Sequence, residues 1–135
     1  MFETSSRILV VAGMVNLLVG AISGVPMGLL RQHGAETVPK YLTMVHLGGL
    51  MNGPILIAVG FSLGMSRLTP WIDTTAAVVL AVASVVLIAK DAINWRQGIT
   101  DEFAQHSLGL KLGWLFGPLE TIGLALATAA VLSGM

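Results

Sequence analysis

Six side chains in this sequence combine a chemically useful type with a position inside a long apolar run: Asn16, His46, Asn52, Asp91, Asn94 and Glu120. His46 is the most telling. It lies in Met44-Val45-His46-Leu47-Gly48-Gly49-Leu50-Met51-Asn52-Gly53-Pro54, where every other residue except Asn52 is apolar or glycine. No other long apolar run holds a histidine. An imidazole in such a place is either a ligand for a metal or haem iron or a hydrogen-bonded structural group. Asp91 and Asn94 lie three apart near the end of a later run, and Glu120 follows Gly117-Pro118 inside the last one. An ionised side chain set in lipid costs about 2.5–3.5 kcal/mol on insertion scales. Each carboxylate must therefore face protein and find a donor.

Helix geometry limits how these groups combine. Gly49 and Gly53 follow His46 by three and seven residues, on its own face of a helix. That face is a histidine followed by a smooth strip, which admits either a neighbouring helix or a flat ligand. Asn52 is six residues on, about 120° round and about 9 Å along the axis. One straight helix cannot aim both at the same side of a small group. Pro54 is a candidate kink that would turn Asn52 back. Lys90, Asp91 and Asn94 share a broad side near one membrane boundary, and Arg96 beyond them suits snorkelling to the interface. Asn16 reads as an interhelical hydrogen-bonder. His33 and His106 read as solvated.

The elements that must carry these residues are membrane helices. The chain has 135 residues, 55% hydrophobic and 10% charged, against about 25% charged in an ordinary soluble domain. Ile8 to Leu30 contains no charged residue and no histidine. About 20 helical residues cross a bilayer core. The expectation is an all-α integral membrane four-helix bundle, one domain over 1–135, with spans at about 6–30, 39–63, 70–95 and 112–132. The first run is too long for a signal-peptide core and reads as a retained helix. Gly20, Gly24 and Gly28 form a small-xxx-small ladder for close helix approach. Thr4 or Ser5 is the expected cap of span one, and Thr69-Pro70 with Asp73 the start of span three. The segment 97–111 is the longest connector and a candidate interfacial helix. Arg7 and Arg67 flank one side; Arg31, Lys40, Lys90, Arg96 and Lys111 flank the other. Two against five puts the second set in the cytoplasm.

Composition also excludes. With zero net charge and no basic tract, nucleic acid is not an expected partner. With no cysteine, disulfides, thiolate-bound metals and covalently attached c-type haem are ruled out. What the residues allow is haem b with His46 as the single protein axial ligand. Gly48, Gly49 and Gly53 would line its slot, and Lys40, Lys90 or Arg96 would anchor its propionates. A proton or ion path through Asp91, Glu120 and His46, and a membrane subunit without chemistry, are the other readings.

The segment His46-Leu47-Gly48-Gly49-Leu50-Met51-Asn52-Gly53, followed by Ile55-Leu56-Ile57-Ala58-Val59, resembles the His-x5-Asn-Gly segment of the styrene oxide isomerases. Those are four-span membrane enzymes. They are trimers that hold haem b through this histidine and open an epoxide on ferric iron without redox turnover. The resemblance implies that His46 is the metal ligand and Asn52 lies on the substrate side. Ala92-Ile93-Asn94 partly resembles the Ala-Asn of that family's second site helix, where a tyrosine follows; the one tyrosine here is Tyr41. Over its whole length the chain more closely resembles the hydroxylaminobenzene mutases of bacterial nitroarene degradation. These convert hydroxylaminobenzene to 2-aminophenol. The resemblance implies residence in the bacterial cytoplasmic membrane, a homotrimer and a small aromatic hydroxylamine substrate. In that reading ferric haem acts as a Lewis acid at the N–OH oxygen. Asn52 hydrogen-bonds the substrate, Asp91 or Glu120 moves protons, and Asn94 belongs to the catalytic set. Haem contacts come from His46, Gly49, Gly53, Lys40 and Arg96, and Met44, Met51 and Trp95 supply apolar walls.

Overall fold

The computed structural model describes residues 3–135, which form α1 (Thr4–Gln32), α2 (Lys40–Leu63), α3 (Pro70–Arg96) and α4 (Leu108–Ser133). Each helix is long and apolar enough to cross a membrane. The four expected spans are therefore present. A helix suits this role because it satisfies its own backbone where no water can.

The ends follow local chemistry. Helix α1 starts two residues earlier than expected, after the extended Glu3, and takes in both Thr4 and Ser5 without a side-chain cap. Gly34, at φ +86°, follows the helix end in the left-handed region that glycine enters freely. Thr69 and Pro70 open α3 as the sequence predicts, with Asp73 in the first turn. Helix α4 begins at Leu108 rather than near 112, because Ser107 Oγ accepts the Leu110 N–H at 3.0 Å. That hydrogen bond satisfies one free donor of the first turn. The preceding segment is a run of turns and not an interfacial helix. Asp101 Oδ1 accepts the N–H groups of Phe103 and Ala104, and Gln105 Oε1 accepts those of Thr100 and Asp101. These side chains capture the donors in a non-helical conformation.

Helices α1 and α2 form one tight pair. A methyl group on Gly49 would lie 2.6 Å from the Asn16 carbonyl oxygen, and one on Gly13 equally close to the Gly53 carbonyl. Helices α3 and α4 form the second pair, with Gly123 against Leu80 and Gly113 against the Lys90 stem. Helix α3 joins the pairs by touching α1 and α2, whereas α4 touches α2 only lightly. Toward the end that carries the chain termini, Leu9, Leu56, Leu63, Ala76, Ala77, Leu80, Ala127 and Ala130 make a dry core. The outward faces carry exposed Val11, Leu18, Ile22, Val25 and Val85, which suits lipid rather than water.

This geometry makes two neighbouring glycines behave differently. Gly49→Val must push apart two backbones and is expected to cost at least the ~1–3 kcal/mol of an overpacked core. Gly48 faces open space, so Gly48→Ala is expected to leave stability unchanged. Thermal unfolding of both variants in detergent measures the contrast.

Candidate functional site

His46 is partly buried on α2, against α1. Its Nδ1 lies 2.7 Å from the Gly20 carbonyl oxygen. A carbonyl only accepts, so Nδ1 carries the proton and donates. In the neutral imidazole, Nε2 then keeps its lone pair. Among the described residues Nε2 has no hydrogen-bond partner. A ring nitrogen held by a carbonyl while the other stays free is the usual arrangement of a metal-ligating histidine. No group of three His, Asp or Glu side chains gathers as a metal site among the described residues. A metal at His46 would thus draw on fewer than three such side chains of its own chain, an arrangement that a haem iron accepts.

Gly20 of α1 makes the close helix approach that the ladder predicts, and Gly49 and Gly53 of α2 share it. Gly49 and Gly53 are buried against α1, and its backbone and Leu17 fill the strip. No slot for a flat ligand remains there. The imidazole edge instead lies over Gly24 of α1, where a methyl group would come within 3.1 Å of Cε1. One turn on, Gly28 borders open space. A groove of about 500 Å³ runs from there between Met27, Gly28, Arg31, Val38 and Thr43. Arg31 donates to the Ala35 carbonyl at 3.2 Å and to the Glu36 carbonyl. Its guanidinium thus stands at the polar end of the groove, where a carboxylate-bearing ligand would need a cation. The sequence showed Arg31 only as a connector residue. The two cations it favoured lie elsewhere. Lys40 Nζ sits 5.1 Å from the Tyr41 ring centroid, and Arg96 is exposed at the end of α3.

Asp91 and Asn94 belong to a second cluster. Lys90 Nζ donates to Asp91 Oδ1 at 2.7 Å and lies 3.7 Å from Glu102 Oε1. Asn94 Nδ2 donates to Glu102 Oε2 at 2.7 Å, and the Glu102 N–H donates to Tyr41 Oη at 3.1 Å. Lys90, Asp91, Asn94 and Tyr41 are all buried. A side chain on Gly109 would collide with the Asn94 amide, so α4 closes over it. Neither Glu102 nor Tyr41 was a candidate from sequence, because this contact depends on how the loop folds back. Lys90 does not snorkel. It is the counter-ion that makes two carboxylates tolerable in a buried place.

Asn52 faces the bundle interior, and Glu120 is half-buried with its Oε2 turned inward. Asn52 Nδ2 and Glu120 Oε2 are buried without a protein partner, as are Asn16 Oδ1 and Asn94 Oδ1. Within one chain, then, Asp91 joins Asn94, and Asn52 stays on the interior side. His46 stands apart from both on the α1 side, as the 120° offset predicts for Asn52. The chain matches no family model, no characterised protein and no solved structure.

The ion cluster can be tested by comparing a single with a triple substitution. Lys90→Met strands two buried carboxylates and is expected to destabilise by about 3–5 kcal/mol. Lys90→Met combined with Asp91→Asn and Glu102→Gln removes the stranded charge and is expected to recover most of that loss. Chemical denaturation of the three proteins in mixed micelles reads the difference.

Proposed function

We propose that the chain is a haem-dependent membrane isomerase of the hydroxylaminobenzene mutase type. One observation carries the reading: His46 has its Nδ1 proton pinned to the Gly20 carbonyl and its Nε2 lone pair free. His46, packed over Gly24, would be the ligand of a b-type haem, and the adjoining groove, which begins at Gly28 and which His46 does not itself line, would offer Arg31, beside Glu36, as the cation for its carboxylates. Bound ferric haem would supply a Lewis acid at the oxygen to be moved.

The protein residues have the remaining work. Conversion of hydroxylaminobenzene to 2-aminophenol breaks the N–O bond and forms a C–O bond at the ortho carbon. The ring gives up one proton and nitrogen regains one, so composition is unchanged. A carboxylate is the natural carrier of that proton. Glu120 suits this better than Asp91, because its Oε2 is unpartnered while Asp91 is engaged by Lys90. Asn52 offers a free amide donor to an N–OH or amino group. In one chain both face away from His46. Neither therefore reaches a substrate held at that histidine in this arrangement of the helices, and the homotrimer in the bacterial cytoplasmic membrane rests on the resemblance alone.

A specific observation favours styrene-oxide-type epoxide isomerisation as the second reading. Glu102 links Tyr41 to Asn94, which brings the one tyrosine to the asparagine that resembles the epoxide isomerases' site helix.

Purified protein is expected to show a Soret band that His46→Ala abolishes together with turnover. Arg31→Ala is expected to retain the band but lose haem several-fold faster to an apo-globin acceptor. A haem-free preparation that still turns over hydroxylaminobenzene would sink the proposal. Turnover of styrene oxide in place of hydroxylaminobenzene would select the second reading.

A further inference from the structure

Three of the buried polar atoms without a protein partner occur at one level of the bundle. The helix contacts fix that level. Leu17 of α1 meets Gly53 of α2, and the carbonyl of Asn16 meets Gly49. Asn16 therefore stands beside the turn that carries Asn52. Asn16 Nδ2 reaches Ser84 Oγ of α3 at 3.2 Å. Lys90 meets Gly113 and Leu80 meets Gly123. Because α3 and α4 run antiparallel, these pairs set Ser84 level with residues 119–120. Each helix thus contributes one polar side chain to a single layer: Asn16, Asn52, Ser84 and Glu120.

The layer's free atoms are complementary in kind. Asn16 Oδ1 accepts, Asn52 Nδ2 donates, and Glu120 Oε2 belongs to a carboxyl. Asn16 is 4% exposed, Asn52 7% and Ser84 0%. Asn16 Nδ2 is already engaged by the Ala12 carbonyl and Ser84, and Ser84 Oγ donates to the Ala81 carbonyl. Rotating Asn16 or Ser84 toward the other two would break bonds already made. Buried polar groups left over in this way are commonly satisfied by internal water, which makes two to four hydrogen bonds.

The two sides of the layer differ. Toward the chain termini lie Leu80, Ala77, Ala76, Leu56 and Leu9, an apolar plug, and the buried Ser6 and Asp73 beyond it are engaged by the Gly60 carbonyl and the Ser66 hydroxyl. Toward the other end the interior carries Leu42 and Val45 on α2, but also Ser23 and then Lys90, Asp91 and Asn94 under the 97–107 loop.

We propose that the Asn16–Asn52–Ser84–Glu120 layer is an internal water site in the middle of the membrane, hydrated from the loop 97–107 end and closed at the plug. The water accepts from Asn52 Nδ2 and donates to Asn16 Oδ1, and it gives Glu120 a partner that exchanges protons with one side only. The proposal stands whether or not the protein binds haem.

The chain contains no cysteine, so one introduced thiol is the only S–H group in the protein. Its S–H stretch lies in a clear infrared window, and its conversion to S–D in D2O reports contact with exchanging water. Ser84→Cys is compared with Ala77→Cys, two turns away in the plug. Both are checked for unchanged helicity and micelle-bound size. Ser84→Cys is expected to exchange at least about tenfold faster than Ala77→Cys, as water contact rather than global opening dictates. Asn16→Leu in the Ser84→Cys background is expected to bring the rate down to that of Ala77→Cys. Asn52→Cys, with Ala127→Cys as its plug control, carries the same comparison if Ser84→Cys does not fold. Layer thiols as protected as plug thiols would overturn the proposal and leave a dry polar contact. Equally rapid exchange at the plug would overturn its one-sidedness.

Discussion

Where Gly20 of α1 meets Gly49 of α2, two helix backbones touch with no side chain between them. In lipid there is little hydrophobic gain from bringing helices together, so close van der Waals contact has to supply the attraction. Glycine makes that contact possible and at the same time exposes a backbone carbonyl to a neighbouring helix. The Gly20 carbonyl is within reach of His46 for this reason. Move α1 outward by the width of a methyl group and the imidazole loses the partner that fixes its tautomer. The Asn16–Ser84 bridge from α1 to α3 depends on the same placement.

A second constraint shapes the interior along its length. One half of the bundle is packed mainly with leucine and alanine, with Ser6 and Asp73 at its end, while the other half carries the amides, the ion cluster and Tyr41 beside Leu42 and Val45. The polar half is more costly to bury, and its groups are accordingly tied to one another. Lys90 answers Asp91 and Glu102, and Glu102 in turn answers Asn94 and Tyr41. The loop is thereby fastened to α2 and α3 through a single carboxylate and its own backbone N–H.

Much of this was legible in the sequence where the bilayer imposes a rule. Span length and the avoidance of charge set the four helices. The 120° offset between His46 and Asn52 followed from helix pitch, and Asn52 does face the interior. The use of the smooth strip was not legible, because a run of glycine suits a neighbouring helix and a flat ligand equally. Gly49 and Gly53 went to the helix. Arg31 was hidden by its place in a connector. Glu102 and Tyr41 were hidden because they are 61 residues apart in the chain and meet only through the folded loop. The early start of α4 had a visible signal, since Ser107 stands directly before the helix as a capping residue does.

Both partners of the His46–Gly20 bond belong to the α1–α2 hairpin, which is complete by Leu63. Its glycine contacts also lie within the hairpin, and the connection between its helices is short. A ribosome making this chain therefore presents a self-matched pair of helices to the membrane ahead of α3. The imidazole is oriented by what comes before it in synthesis, not by what comes after. The later half of the chain, from Pro70 onward, adds the ion cluster and closes the interior around a histidine already set.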